Sequence, residues 1–391
     1  MNEATAKRII ILGTHSFVDG GTKVGSQHLA EGLAAIGWEV AYVATASSLV
    51  DVWGSKRHPR LRRVWFGRQD VRGVQIAPGL TEFAFKAAIP AHRLFLRRRW
   101  QLATFGWFLP AWVHTSAFDV CISDVTPNMV FLPWIEAKHR VLRLNDWPAG
   151  FKHDVHSTLI NYMEAGLRQA SFDEVWAVSN PLSTYARELN STNTIVLMPN
   201  GVELPLTQLT KQSCREVNSA IYIGGLTAWL DLALLQQVAR LLPQWTIHVY
   251  GPGSERMRSD ASNLHFHGAV SRTEVATLLA RHEVGLIPFK NADDRMQFVE
   301  RPLKFYEYVA AGLGVASTDH GALRSGMGDL AAYGNSPEEF AQAIVEARLQ
   351  STQRPSGSAQ QFAQENAWPE VAAKAEHQLK RLLQSGGGIG Q

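Results

Sequence analysis

Cysteine is scarce in this sequence of 391 residues, which contains only Cys121 and Cys214. The two lie far apart and lack the spacing of a metal site, so we expect reduced thiols in a reducing compartment. Long apolar runs are also missing, and the nearest one, residues 102–113, is interrupted by Gly106 and Pro110. A transmembrane helix needs about 20 mostly apolar residues in succession. These absences favour a cytoplasmic globular protein, and its length allows two domains of ordinary size.

Two motifs that bind phosphate or metal are absent as well. The glycines between Gly13 and Gly25 do not form the G-x-G-x-x-G pattern, so a dinucleotide site at the first strand is not expected. No Asp-x-Asp triplet stands near the end of a predicted strand, and Asp293 and Asp294 are adjacent, as in an ordinary loop. We therefore expect no cofactor and no metal.

Positive charge is concentrated in one region, although the formal net charge is only +3. Residues 55–100 contain twelve lysines and arginines against only Asp70 and Glu82. Arginines interleave with aromatic residues over 83–112, which suits contact with an anionic membrane surface. A solvated basic face above buried aromatics is the alternative. No RNA-binding motif accompanies the stretch, so no nucleic-acid partner is expected.

The order of elements predicts an α/β protein with two Rossmann-like, doubly wound domains that face a cleft. We assign residues 1–205 to a first domain and 206–366 to a second domain, with a polar linker at Thr207–Val217. Residues 367–391 are expected to supply a helix, Trp368–Leu383, that crosses back to the first domain, and a flexible tail.

The segment 301–318 predicts a short helix, a glycine stop and a buried strand. Pro302 suits the first helical position, and Gly312 suits a left-handed C-cap. The free N–H groups of Leu303 and Lys304, together with the lysine charge, form an anion site at the helix start. Glu307, three residues after Lys304, could accept hydrogen bonds from a vicinal diol. Phosphate and diol together describe a nucleotide, although an ordinary surface helix with a Lys/Glu pair fits the same pattern.

Asp146 is the candidate catalytic acid or base because it follows the predicted strand 140–144 in the first domain. An inverting sugar transfer needs one carboxylate to take the proton of the acceptor hydroxyl. A turn or N-cap aspartate is the alternative. His15 follows the first predicted strand, at the edge of the sheet where ligands bind in such folds. It is an acceptor-side candidate or a loop histidine bonded to backbone.

The segment 301–318 resembles the donor-binding helix of GT-B glycosyltransferases, except that Leu313-Gly314 stands where Leu-Pro or Lys-Pro is common. Part of this segment and five others resemble the bacterial xanthan-type glucuronosyltransferases in order and approximate spacing. They are residues 13–17, 118–120, 142–146, 200–203, 223–226 and 303–308.

That resemblance makes residues 1–205 the acceptor-binding domain and residues 206–366 the nucleotide-sugar-binding domain. It also implies a role for each matching position. The aspartate at the position of Asp146 is the general base, and the lysine at Lys304 holds the donor phosphates. The remaining donor-binding positions are Gly224, Gly225, Leu226, Phe289, Leu303 and Glu307. The implied reaction moves a sugar from a UDP-sugar to a polyprenyl-diphosphate-linked oligosaccharide at the inner membrane face, in exopolysaccharide biosynthesis.

Two departures leave the donor sugar open between glucuronate and a neutral hexose. Glu307 stands where that family has a glutamine, and Leu226 stands where it has a methionine.

Other functions fit parts of the pattern. Retaining GT-B enzymes have two glutamates with seven residues between them, whereas Glu300 and Glu307 have six between them, which favours inversion. A UDP-sugar 2-epimerase or a non-catalytic sugar-nucleotide binder would not need the arginine and aromatic surface.

Overall fold

A computed structural model describes residues 7–20, 23–48, 50, 58–90, 98–151, 157–203, 215–226, 229–291 and 294–385. The chain forms two compact units. The first comprises Met1–Pro199 with Val371–Gln391, and the second comprises Asn200–Glu370.

The first unit is built on an eight-stranded sheet in the order β3-β4-β2-β1-β5-β6-β7-β8. All neighbours are parallel except β3 and β4 at one edge. The run Ile9-Ile10-Ile11-Leu12 in β1 is fully buried, as expected for a central parallel strand covered on both faces. The strands are β1 Arg8–Leu12, β2 Glu39–Ser48, β3 Val74–Ala77, β4 Leu80–Ala87, β5 Phe118–Asp124, β6 Ala137–Leu144, β7 Glu174–Ala177 and β8 Ile195–Leu197.

Before residue 200, the described part of the first unit contains the helices α1 Gly25–Ala35, α2 His58–Leu61, α3 Gln69–Arg72, α4 Ala111–Thr115, α5 Ser157–Arg168 and α6 Asn180–Leu189. Short 3-10 stretches cover Arg99–Gly106, Pro127–Trp134 and Pro148–Phe151, and Arg62–Phe66 is a π-helical turn. Among the described residues, no helix combines the length and apolar character needed to cross a membrane.

The second unit has a six-stranded parallel sheet in the order β11-β10-β9-β12-β13-β14. Its strands are β9 Ser219–Ile223, β10 Thr246–Tyr250, β11 Leu264–Gly268, β12 Val284–Ile287, β13 Gly314–Ser317 and β14 Ala332–Tyr333. Its helices are α7 Leu232–Leu241, α8 Arg272–Arg281, α9 Leu303–Ala310, α10 Leu323–Met327, α11 Pro337–Gln353 and α12 Ser358–Glu365. Further 3-10 turns lie at Ser254–Arg256, Asp294–Phe298 and Gly328–Leu330.

The last helix, α13, runs from Trp368 to Ser385. Its residues Ala375, Leu379 and Leu382 belong to the core that also contains β1 and β2 of the first unit. Lys374 donates a hydrogen bond of 2.8 Å to the carbonyl of Leu197. The chain therefore returns to the first unit through this helix.

The boundaries in the structure differ slightly from those expected from sequence. The units divide at residues 199/200 and 370/371, whereas we predicted 205/206 and 366/367. Most of the predicted linker, residues 207–214, and the tail, residues 386–391, lie outside the described residues. Sequence patterns also missed the hairpin of β3 and β4, whose turn at Pro78-Gly79 has a φ of +75° at the glycine.

Candidate active site

Lys304 occupies the first turn of α9 in the second unit, where its ammonium group lies over two aromatic rings. The Nζ atom is 5.1 Å from the ring centroid of Tyr222 and 4.9 Å from that of Phe289. Burial lowers the pKa of Lys304 from 10.5 to about 8, and the charge of Glu307 acts in the opposite direction. The surroundings therefore destabilise the charged form of Lys304 relative to its neutral form.

No carboxylate or hydrogen-bond acceptor in the described part of the chain pairs with this ammonium group. The helix starts beside it without a side-chain cap, because Pro302 is the N-cap and α9 begins at Leu303. Our placement of Pro302 as the first helical residue was thus wrong by one position. The N–H groups of Leu303 and Lys304 remain at the helix start as predicted, so the half-buried lysine and two backbone donors belong to the same first turn.

The glycine turn after β9 approaches Lys304 closely. A Cβ atom on Gly224, whose φ is +156°, would lie 3.3 Å from Lys304 Cε and 3.2 Å from the hydroxyl oxygen of Tyr222. A Cβ atom on Gly251 would lie only 2.0 Å from the Gly224 carbonyl oxygen. Glycine at position 251 therefore allows its backbone to approach that of Gly224, and glycine at position 224 allows the close approach of the Lys304 side chain. Of the predicted donor residues, the structure brings Gly224, Phe289 and Lys304 together.

Two tyrosines hold this edge in place, and sequence patterns did not identify either of them. The hydroxyl of Tyr222 donates to the carbonyl of Gly225 at 2.8 Å, and the hydroxyl of Tyr308 accepts from the backbone N–H of Ile223 at 3.2 Å. The ring of Tyr308 is fully buried against Gly285, where an added Cβ would lie 2.3 Å from it. Tyr222 thus joins β9 to the glycine turn that follows it, and Tyr308 joins α9 to β9.

Glu307 is held by an arginine that the sequence reading missed. Arg272, at the start of α8, donates from Nη1 to Glu307 Oε1 at 2.5 Å and from Nε to Glu203 Oε2 at 3.0 Å. These two carboxylates raise the pKa of Arg272. This ion pair, which Arg272 makes with Oε1 of Glu307, fixes the orientation of the Glu307 carboxylate.

The other two predicted donor residues, Leu226 and Leu303, are half-buried. Leu226 packs against the core of the second unit.

Asp146 lies just beyond β6 in the first unit, where a hydrogen bond reaches its carboxylate and another joins the neighbouring Asn145 to the end of β5. Its Oδ1 accepts from the N–H of Trp147 at 2.8 Å. The side chain of Asn145 accepts from the N–H of Val125, at the end of β5, at 3.0 Å. The aspartate is half-buried. It therefore stands at the carboxyl ends of parallel strands, as predicted, on a loop that Asn145 connects to the end of β5.

His15 follows β1 at the same edge of the first sheet and is exposed. Its Nδ1 is 3.1 Å from Thr14 Oγ1. Although much of the side chain is exposed, neighbouring groups partly desolvate the ring. This desolvation and the charge of Arg60 lower the pKa of His15, while Asp124 acts in the opposite direction. The imidazole is consequently neutral at neutral pH.

Asn128 organises this edge, although no sequence pattern marked it. Its amide donates to the carbonyls of Gly13, Val43 and Ala44 at 2.6–3.0 Å, and its oxygen accepts from Ala46 at 3.2 Å. It is buried and joins the residue that follows β1 to the inner part of β2. The hydrogen bond from Asn128 thus fixes the backbone at Gly13, where the loop that carries His15 begins.

The aromatic residues of 83–112 divide between core and surface. Phe85 and Phe105 are buried and pack on Phe131, which matches the alternative of buried aromatics. Trp100, Trp107 and Phe108 are instead exposed, and Phe108 packs against Trp65, next to the exposed Phe66. Residues 91–97 of this stretch lie outside the described residues. We call the four exposed rings, Phe66, Trp100, Trp107 and Phe108, the aromatic patch.

Comparison with solved structures shows what the two units have in common with known proteins. A sucrose-phosphate synthase from Thermosynechococcus elongatus superposes with a TM-score of 0.70 at 15% identity, covering 97% of this chain and 100% of that one. The HepE protein of Anabaena, in complex with UDP and glucose, gives a TM-score of 0.61 at 14% identity and covers 96% and 100% of the two chains. The chain has the GT-B glycosyltransferase fold.

Sequence comparison adds a match in the second unit. Residues 218–348 match the family described as glycosyl transferases group 1, so this segment is a group 1 glycosyltransferase domain. TuaH of Bacillus subtilis (strain 168), which is assigned to teichuronic acid biosynthesis as a glycosyltransferase, is 28% identical over 135 residues. That match covers 31% of this chain and 33% of TuaH, so the chain spans about a third of the relative's length. The matched family segment contains Lys304, its two aromatic neighbours and Glu307.

Proposed function

We propose that the chain is an inverting glycosyltransferase that moves a sugar from a UDP-sugar to a lipid-linked oligosaccharide in bacterial polysaccharide biosynthesis. The observation that carries the proposal is the Lys304 side chain, half-buried at a helix start, whose ammonium group has no carboxylate partner in the described part of the chain. A diphosphate supplies the missing negative charge. The group 1 glycosyltransferase match over this segment and a UDP-bound structural neighbour support the same ligand class.

In the proposed donor complex, Lys304 and the N–H groups of Leu303 and Lys304 neutralise the charge that grows on the UDP leaving group. Such preorganised donors stabilise a developing anion strongly when water is excluded. Gly224 and Gly225 let the backbone approach the diphosphate, and Phe289 gives the pocket an apolar wall. Glu307 binds the ribose hydroxyls with the carboxylate orientation that Arg272 sets.

Asp146 is the proposed general base. It takes the proton of the acceptor hydroxyl as that oxygen attacks the anomeric carbon, while the bond to UDP breaks on the opposite face. The restrained loop suits this task because a base must hold its position within hydrogen-bond reach of the attacking hydroxyl. His15 is assigned to the acceptor side, where a neutral imidazole can accept or donate a hydrogen bond to a sugar hydroxyl. The scheme uses no metal ion.

The acceptor class and the membrane contact rest on surface chemistry. The rings of the aromatic patch are exposed, and Arg68, Arg72 and Arg98, which come from the same region of the sequence, are exposed as well. Aromatic rings at the headgroup level and arginines facing anionic lipid are the two components of an interfacial surface. A polyprenyl-diphosphate-linked acceptor would be presented at such a surface. TuaH, a partial relative, is itself assigned to the biosynthesis of a bacterial polymer.

Release of UDP from a panel of UDP-sugars, with and without a polyprenyl-diphosphate-linked oligosaccharide, tests the proposal. A transferase releases UDP only when the acceptor is present, and the UDP-sugar that supports release identifies the donor sugar. Acceptor-independent conversion of the UDP-sugar would instead indicate a 2-epimerase. Binding of UDP-sugars without any turnover would indicate a non-catalytic binder.

A further inference from the structure

Four histidines and a glutamate gather at one side of the second unit, away from Lys304. His248 lies in β10 and pairs in register with His265 of β11, and His267 follows two residues later on the same face. His282 is the C-cap of α8, and Glu216 precedes β9. Because Glu216 and His282 stand at the amino ends of β9 and β12, this cluster lies at the sheet edge opposite the Lys304 site.

Three of these side chains point their ligand atoms at one another. The metal-binding atoms of Glu216, His248 and His282 all lie within 4.8 Å of each other. His248 Nε2 is 3.9 Å from Glu216 Oε2, and the rings of His248 and His282 meet edge to face with centroids 4.9 Å apart. This separation leaves space for a small cation among the three groups.

Two of the nitrogens, His248 Nε2 and His282 Nε2, are buried and have no hydrogen-bond partner among the residues that the structure describes. His282 is only 3% exposed. A buried imidazole nitrogen without a partner loses its hydration and gains nothing in return, so it calls for an explanation.

The other nitrogen of each ring is already engaged. His282 Nδ1 is 2.7 Å from the carbonyl of Leu278, which can only accept, so Nδ1 carries the proton and Nε2 presents a lone pair. His248 Nδ1 is 2.9 Å from His267 Nε2. When Nδ1 donates to His267, the Nε2 atom of His248 also presents a lone pair. Metal-binding histidines are typically oriented by such bonds from the second ring nitrogen.

We propose that Glu216, His248 and His282 form a binding site for a divalent metal of the zinc class. Imidazole nitrogens and a carboxylate oxygen are the ligands that zinc takes in proteins, and three protein ligands leave one position for water. His282 comes from the end of α8, His248 from the middle of β10 and Glu216 from the segment just before β9. The position of this site opposite the Lys304 site makes the metal a structural element of the second unit and not a part of the transfer chemistry.

The protonation of the cluster agrees with this assignment. Burial and the neighbouring histidines lower the pKa of His248 to about 4, and burial lowers the pKa of His282. Both rings are therefore neutral at pH 7, as metal ligands must be.

The test uses the full chain without an affinity tag, stripped with a chelator and dialysed. Zn²⁺ is titrated by calorimetry, and Co²⁺ serves as a spectroscopic probe of coordination geometry. We expect one site per chain with Kd in the micromolar range or tighter, a higher unfolding temperature with Zn²⁺, and the visible absorption of four-coordinate cobalt.

Variants decide which residues bind. Glu216→Gln, at an exposed position, and His282→Gln should each weaken Zn²⁺ binding by more than about 10-fold. The matched control is His265→Asn, an exposed histidine beside the cluster, which should bind as the parent does. Circular dichroism of the metal-free proteins establishes that each variant is folded. Failure of the parent to bind Zn²⁺, or binding by Glu216→Gln and His282→Gln equal to that of the control, would overturn the assignment.

Discussion

The affinity for a UDP-sugar should fall as pH rises through 8, because the binding lysine loses its charge there. Burial lowers the pKa of Lys304 to about 8 from 10.5. That shift means that the protein destabilises the charged form relative to the neutral form by about 3 kcal/mol, compared with a lysine in water. The negative charge of a bound diphosphate stabilises the charged lysine, so the pKa of Lys304 is higher in the complex than in the free protein. Above pH 8, binding is therefore accompanied by the uptake of a proton.

The size of the effect follows from the fraction of charged lysine in the free protein. With a pKa of about 8, about nine-tenths of the molecules carry the charge at pH 7 and about one-tenth at pH 9. The Kd for a UDP-sugar should therefore rise about tenfold between these two values. Lys304→Gln removes a charge-assisted bond of about 1.5–3 kcal/mol, so it should weaken binding about 10- to 150-fold.

Calorimetry of UDP-sugar binding across this pH range is the assay, with a sugar nucleotide chosen because its diphosphate has no free terminal group to titrate. Lys304→Gln should bind weakly and show little of the pH dependence. Lys138→Gln, at an exposed lysine of the first unit, is the control and should behave as the parent does. A parent affinity that stays constant from pH 7 to about 9, or equal affinities for Lys304→Gln and the parent, would refute the role of this lysine.

Three further predictions address the rest of the molecule. Asp146→Asn should abolish turnover while UDP still binds, because the base is lost and the donor site is unchanged, as rates and calorimetry will show. Gly285→Ala should lower the free energy of unfolding by about 1–3 kcal/mol in urea titrations, since its Cβ would lie 2.3 Å from the ring of Tyr308. Phe66→Ser with Trp107→Ser should weaken sedimentation with anionic vesicles at least about tenfold without changing stability, because these rings are 80% and 70% exposed.

Each of these changes has a control or a contrary result. Asp260→Asn, at a highly exposed aspartate, should keep full turnover, and normal rates for Asp146→Asn would remove the base assignment. An unchanged urea midpoint for Gly285→Ala would mean that the tyrosine packing does not matter. Leu349→Ser, at a leucine 50% exposed on the second unit, should bind vesicles normally. Vesicle binding by the double variant equal to that of Leu349→Ser would remove the aromatic patch as a membrane surface.

Local signals sufficed for the helix that holds Lys304. Pro302, the apolar spacing of α9 and Gly312 act within a few residues of chain, and Gly312 does adopt a φ of +74° at the end of the helix. The strand before Asp146 was predictable for the same reason. The fold class followed from the repeated alternation of such local patterns, and the structural neighbours confirm it.

The contacts that complete each site depend on residues far apart in the chain. Arg272 meets Glu307 across 35 positions, and Asn128 meets Gly13 across 115. No periodicity or capping signal encodes such pairs, because they arise only when the sheet orders its strands. The three proposed metal ligands show the same dependence, since Glu216, His248 and His282 come from separate elements with no motif spacing.

The configuration of the product tests the central claim most directly. With an α-linked UDP-sugar and a polyprenyl-diphosphate-linked acceptor, transfer by a single carboxylate base inverts the anomeric centre. We predict that nuclear magnetic resonance of the isolated product will show a β-linked sugar, formed only when the acceptor is supplied. An α-linked product, or consumption of the UDP-sugar without transfer, would contradict an inverting glycosyltransferase.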